Sequence, residues 1–319
     1  NIIYAGQNGK GNYAEVYAED NSDENIIAAE QNGRNNDAYV YADDKSDNNL
    51  LGSQQNGRGN YVTNDITIKS DYNLSFSQQN GRNNYMNIDI EDKSDYNAIV
   101  AQQNGKGNYA EIDATDNSDE SIFIVQQNGT RNELNIDISD KSDYNAIVAQ
   151  QNGKGNYAEI DIRYNSDENI LLVQQNGKNN DIDYEAAIRY NSNNNILAAQ
   201  QNGTANEIYE IYVQNKSNEN IVAAQQNGKN NYIEYVGVGE KSNSNIVAAR
   251  QSGKGNYMYD VYAWEKSDEN LVIAEQNGKN NYMEYVGAAY SSDKNIIYAG
   301  QNGKGNYAEV YAEDNSDEN

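Results

Sequence analysis

The chain has 319 residues, a formal net charge of −26 and a pI near 4.2, with no proline, cysteine or histidine. Without cysteine there are no disulfides or thiolate metal sites, and without histidine the commonest general base and transition-metal ligand are gone. The acidic balance disfavours nucleic acid and anionic membranes as partners, and no apolar run approaches bilayer-spanning length, so membrane insertion is not expected.

The first unit reads NIIYAGQ, NGKG, NYAEVYA, EDNSDE. It contains two β-prone stretches, a Gly/Asn turn between them and an acidic closing loop. The second stretch alternates, with Ala14, Val16 and Ala18 on one face and Tyr13, Glu15 and Tyr17 on the other. Met86, Ile88 and Ile90 repeat that pattern against Tyr85, Asn87 and Asp89. Period-two alternation marks a strand with one buried and one wet face.

The glutamine of this unit recurs at 7, 31, 55, 79, 103, 127, 151, 175, 201, 226, 251, 276 and 301. A near-constant period defines a repeat array, so residues 1–319 read as one continuous solenoid of about 13 units. Low hydrophobicity with high net charge alone would suggest disorder, but a disordered chain has no reason to keep a register. An Asn-Gly hairpin meander is the competing topology. The favoured one pairs each strand with its equivalent one turn on, giving an all-β β-solenoid with two strands per 24–26-residue turn, stacked in register into a fibre.

The length changes fall between the second-strand Asn and the following Ser. In the 25-residue units Ile208 is followed by Ile211 and Ile233 by Val236. One added residue inverts the remaining side chains unless a bulge absorbs it, so a stacked column of bulges is expected. The 26-residue unit, with Ile182, Tyr184, Ala186 and Ile188, needs no such correction.

Gln7, Gln31, Gln55, Gln103 and Gln151 share the parity of Ile3 and Ala5 and should point inward, each amide pairing with its copy one turn on. Gly9, Gly33, Gly57, Gly105 and Gly153 should supply a positive φ for the arc. Asn12, Asn36, Asn60, Asn108 and Asn156 should close that arc as further ladder residues.

These residues resemble the curlin repeat of bacterial curli fibres, in the spacing Asn1, Gln7, Gly9, Asn12, Ala14 and again Asn97, Gln103, Gly105, Asn108, Ala110. The resemblance covers every unit. It departs from the curlin pattern in its first position (only Ser121 keeps the family's Ser), in the missing second-strand Gln and in a longer closing loop. What it implies is an extracellular functional amyloid of biofilm matrix and adhesion.

Asp23, Asp47, Asp71, Asp95, Asp119, Asp143 and Asp167 recur once per turn, interrupted later by Asn193, Asn218 and Asn243. No cofactor is expected. This column is the one place where Ca²⁺ would fit, against the plainer reading of a solvated acidic edge. Lys10, Arg34, Arg58, Arg82 and Lys106 form a basic edge. A tyrosine follows the Asn in most second strands, as at Tyr13, Tyr61, Tyr85 and Tyr109, which points to cross-strand stacking or else to glycan binding.

The first strand is apolar on both faces. Ile26, Ile122, Ile124, Ile170, Leu172, Leu271 and Ile273 lie on its outer side, and a strand apolar on both faces is expected to be covered on both. Lateral packing against another chain follows. Residues 295–319 are identical to residues 1–25, which suggests duplication of a 294-residue block and self-association end to end. No nucleophile motif or phosphate loop appears, so an enzyme is not expected. The leading expectation is a structural fibre. The runner-up is an adhesin stalk displaying Tyr and charged ladders to glycans or surfaces.

Overall fold

A computed structural model describes residues 1–17, 24–41, 48–63, 65, 72–89, 96–113, 121–137, 144–161, 163, 168–183, 186–289 and 294–311. The chain falls into two compact units, Asn1–Gly155 and Asn156–Asn319. Each is a β-solenoid, and among the described residues there is no helix.

In the first unit the long strands are Ile2–Lys10, Ile26–Arg34, Leu50–Arg58, Leu74–Arg82, Ala98–Lys106, Ile122–Thr130 and Ala146–Lys154. They pair in parallel and in register, so that Gln7 lies opposite Gln31 and Gly9 opposite Gly33. The second unit repeats this with Ile170–Lys178, Ile196–Thr204, Ile221–Lys229, Ile246–Lys254, Leu271–Lys279 and Ile296–Lys304. Its register survives the changes in period: Gln175 lies opposite Gln201, and Gln201 opposite Gln226.

The second strand of each turn is shorter than the seven-residue stretch in the sequence. It is two residues in the first unit, as at Tyr61–Val62, and three in much of the second, as at Tyr232–Glu234. Bonding between turns continues past those bounds, with Glu15 N–H donating to the Ala38 carbonyl at 2.9 Å and Tyr17 N–H to Val40 at 3.1 Å. The positive φ of 133° at Val40 marks where regular strand geometry ends.

The interior is filled by columns. Ile27, Leu51, Ser75, Ile99, Phe123 and Ile147 form one on the long strands, all fully buried. Ala38, Val62, Met86, Ala110 and Leu134 form another on the short strands. Burying each aliphatic side chain contributes about 1.5–3 kcal/mol, offset by the ordering of its turn.

Candidate functional site: amide ladders and an outer apolar face

The inner glutamines are where parity placed them. Gln31, Gln55, Gln103 and Gln151 are fully buried, while Gln7, in the first turn with a neighbour on one side only, is exposed. Each Nε2 donates to the Oε1 of the next turn: Gln7 to Gln31 at 3.0 Å, Gln31 to Gln55 at 2.8 Å, Gln103 to Gln127 at 2.7 Å. The same nitrogen reaches across the interior to a short-strand carbonyl, from Gln31 to Tyr13 at 2.6 Å, from Gln103 to Tyr85 at 2.7 Å and from Gln151 to Glu133 at 2.5 Å. The column therefore ties the two walls of each turn together, a second role that parity did not reveal. The second unit continues the pattern, with Gln201 donating to Gln226 at 2.9 Å.

The arc asparagines form a different ladder. Asn12 Oδ1 accepts the main-chain N–H of Asn36 at 3.2 Å, Asn36 Oδ1 that of Asn60 at 3.1 Å, and Asn156 Oδ1 that of Asn180 at 3.1 Å. Asn60 and Asn108 donate through Nδ2 to the carbonyls of Asn56 and Asn104. The glycines have the expected positive φ: 120° at Gly9, 125° at Gly33, Gly57 and Gly153, and 128° at Gly105. Stacking adds a second constraint, because a Cβ on Gly33 would lie 1.9 Å from the Gly57 carbonyl oxygen. Two residues on, a left-handed position recurs at Gly11, Asn35, Gly59 and Asn83, with φ between 52° and 68°. The Gly/Asn choice in "GKGN" and "GRNN" was its signal.

Three further ladders were missed. From Asn25 onward the first residue of each unit is buried, and Asn25 Oδ1 accepts the Asn49 N–H at 2.8 Å while Asn73 Nδ2 donates back to Asn49 Oδ1 at 3.1 Å. On the outer face, Gln78 donates back to Gln54 at 2.7 Å and Gln102 back to Gln78 at 2.6 Å. Asn56 donates forward to Asn80, and Asn80 to Asn104, both at 3.0 Å. The outer Gln lies on the outward face, as its parity required, and is also bonded along the stack.

Two columns occur in the second unit. Ser217 and Ser242 are fully buried; Ser217 Oγ accepts the Ser242 N–H at 3.0 Å and donates to the Gly239 carbonyl. Asn218 Oδ1 accepts the Asn193 N–H at 2.7 Å, and Asp268 Oδ1 the Asn243 N–H at 2.5 Å. The aspartates from Asp23 to Asp167, on which the calcium reading rested, lie outside the described residues. Among the described residues no cluster of three or more acidic side chains could hold a metal ion.

The bulge column is present. Glu210, Tyr235, Asp260 and Tyr285 stack with φ between 58° and 62°, which returns Ile211, Val236, Val261 and Val286 to the interior. In the 26-residue turn Ala186 and Ile188 are buried, but so is Ala187, while Tyr184 lies outside the described residues. Beside it the buried Asp161 carboxylate accepts from Arg163 Nε at 2.6 Å and lies 3.8 Å from Arg189, whose guanidinium sits 5.5 Å from the Tyr212 ring centre.

The tyrosines stack. Ring centres are 5.0 Å apart for Tyr61–Tyr85 and Tyr85–Tyr109, with planes within 4°, and 4.9 Å for Tyr257–Tyr282. Where Asp37 interrupts, Tyr39 leans in between Tyr13 and Tyr61. Their hydroxyls donate to nearby carboxylates, as Tyr13 to Glu15 at 2.7 Å and Tyr232 to Glu234 at 2.8 Å. Burial first, then Glu234, pushes the Tyr257 hydroxyl up to about 12, so these rings stay neutral and donating at ordinary pH.

On the outer face of the long strands Ile26, Ile122, Ile124, Ile170 and Leu172 are each 40–48% exposed, with Leu271 and Ile273 partly exposed. Lys10, Arg34, Arg58, Arg82 and Lys106 are exposed at the far end of that face, and none is ion-paired among the described residues.

Fold and ladders together define a β-solenoid whose interior combines apolar columns with stacked amides. No family model matches the chain, and no curated protein matches it. No helix among the described residues is long and apolar enough to cross a membrane.

Proposed function

We propose that this chain is a structural protein, a segment of an extracellular curli-like β-solenoid fibre of the kind that builds biofilm matrix and supports adhesion. One observation carries the reading: the buried glutamines are completed by their own copies in the next turn, as Gln31 is by Gln55 and Gln103 by Gln127. Residues spent in this way serve continuity of the stack, and the end-to-end self-association read from the repeat is the natural extension of it. The curlin-like spacing is what supports an extracellular setting for such a fibre. The test is electron microscopy with fibre diffraction. Filaments that lengthen with concentration and give a meridional spacing of about 4.8 Å support the reading. A monomer that never elongates overturns it.

The outward tyrosine stacks favour a second reading, a surface stalk that binds glycan through flat aromatic columns. Retention on insoluble polysaccharide, lost on replacing Tyr61, Tyr85 and Tyr109 by Ser, would separate it from a purely structural fibre.

A further inference from the structure

We infer that the outer face of the long strands is an interface with a second copy of this chain, the two copies related by a two-fold axis parallel to the stacking direction. The inner face of the same sheet is closely packed, with Ile27, Leu51, Ile99 and Phe123 fully buried and its glutamines bonded from turn to turn, so the outer aliphatic columns are not a by-product of a loosely built sheet. In the first unit Ile26 and Leu50 begin one column, and Phe76, Val100 and Ile124 continue a second, all exposed. With columns about 7 Å apart and turns about 4.8 Å apart, the seven strands of that unit carry an apolar stripe on the order of 450 Å². That reaches the size at which an exposed patch marks an interaction site, and each added turn adds roughly 60 Å² towards the ~800 Å² per partner of a standard interface.

Two features select a second copy as the occupant. The columns repeat at the strand-pairing distance, and only another stack of turns offers ridges at the same spacing to interdigitate with them. The face is also charged in opposite senses at its two ends. In the second unit exposed Glu168, Glu219 and Glu269 precede the long strands, the last of them 3.8 Å from Lys294 of the next turn, and exposed Lys178, Lys229 and Lys279 end them. A two-fold axis along the stack turns the partner's strands antiparallel to these, so its basic edge lies over the acidic edge of the first copy. A two-fold axis along the strands instead sets base over base. Charge therefore selects the pair whose coils run the same way, a pair suited to a polar filament.

This pairing needs only the solenoid fold and is independent of end-to-end growth. Width and mass per length report pairing, whereas filament length reports growth. Ile122→Lys, Ile124→Lys, Ile170→Lys and Leu172→Lys combined should halve the mass per length of the assembled protein, or its solution mass where no filaments form. Lys178→Glu, Lys229→Glu and Lys279→Glu combined changes only exposed ends of strands and should also weaken pairing, with the wild-type pair loosening as salt rises. Unchanged mass in both variants overturns the interface, as does a wild-type protein that is unpaired at every concentration.

The orientation is read separately. The chain has no cysteine, so Leu172→Cys and Ile273→Cys each carry one spin label. The parallel pair gives the same short interchain distance at both sites. Coils running in opposite directions cannot be short at both, and that outcome overturns the assigned axis.

Discussion

Gln103 and Gln127 meet through their side chains at 2.7 Å, both sealed from water, while Gln103 also donates to the Tyr85 carbonyl at 2.7 Å. One buried amide thus supports the stack and the separation of its walls. Gln103→Leu should cost ~1–3 kcal/mol, because it takes the donor from the Gln127 oxygen and the acceptor from the Gln79 amide N–H. Gln102→Ser removes an outer ladder residue that water can replace in part, and should cost less than ~1 kcal/mol. Denaturant unfolding of the two variants checks the order. Equal losses would contradict it.

Gly105 and Gly107 both have a positive φ, 128° and 63°, but for different reasons. A Cβ on Gly105 would lie 1.9 Å from the Gly129 carbonyl oxygen, while on Gly107 it would meet nothing nearer than Arg131 Cγ at 3.8 Å. Gly105→Ala should therefore break main-chain pairing, costing more than ~3 kcal/mol and stripping hydrogen-exchange protection from the adjoining turns. Gly107→Ala should cost ~1–2 kcal/mol, since Arg131 occupies the equivalent position.

Ser75 stands in the interior column between Leu51 and Ile99, fully buried, and its hydroxyl has no hydrogen-bond partner. Ser75→Ala removes that desolvated group without adding volume to the column, and should stabilise the protein by about 1 kcal/mol. A lowered melting temperature would show that the hydroxyl is bonded after all.

Asp260 occupies the bulge column, where burial first and then Glu234, Glu284 and Glu210 push its carboxyl from 3.8 up to about 6. The folded state thus holds the proton more tightly than the unfolded one. The stability this provides is complete below the ordinary value and is lost as pH rises through about 6. Asp260→Asn should remove that part of the dependence and raise stability at pH 7, by on the order of 1 kcal/mol once solvent screening of a half-exposed group is allowed for. Melting curves for both proteins at acid and neutral pH check the sign.

Much of this was legible in the sequence because parallel in-register stacking turns a period into a contact. Gln31 above Gln55, the positive φ at Gly33 and the bulge before Val236 all follow from counting. The outer ladder through Gln78 and Gln102 did not, because parity gives the face of a residue and not its neighbour along the stack. The crossing bond from Gln103 to Tyr85 needed the distance between walls, which no repeat encodes. The capping by Asn25 and Ser217 was hidden among abundant Asn and Ser, where composition masks position. The short second strand was overestimated because alternation persists in residues whose backbone has already left strand geometry, as at Val40.

The directions of these bonds bear on how long such an array can grow. The inner Gln and outer Asn columns donate towards later turns, as Gln31 to Gln55 and Asn56 to Asn80, whereas the outer Gln and first-position Asn columns donate towards earlier ones, as Gln78 to Gln54 and Asn97 to Asn73. Side-chain amide dipoles therefore oppose one another in pairs. An α-helix accumulates partial charges at its termini because its peptide dipoles all align. Here the inner Gln and outer Asn columns oppose the outer Gln and first-position Asn columns, so the dipoles of these four columns do not all add up with the number of turns. As far as these four columns go, a further turn adds opposed side-chain dipoles and not aligned ones.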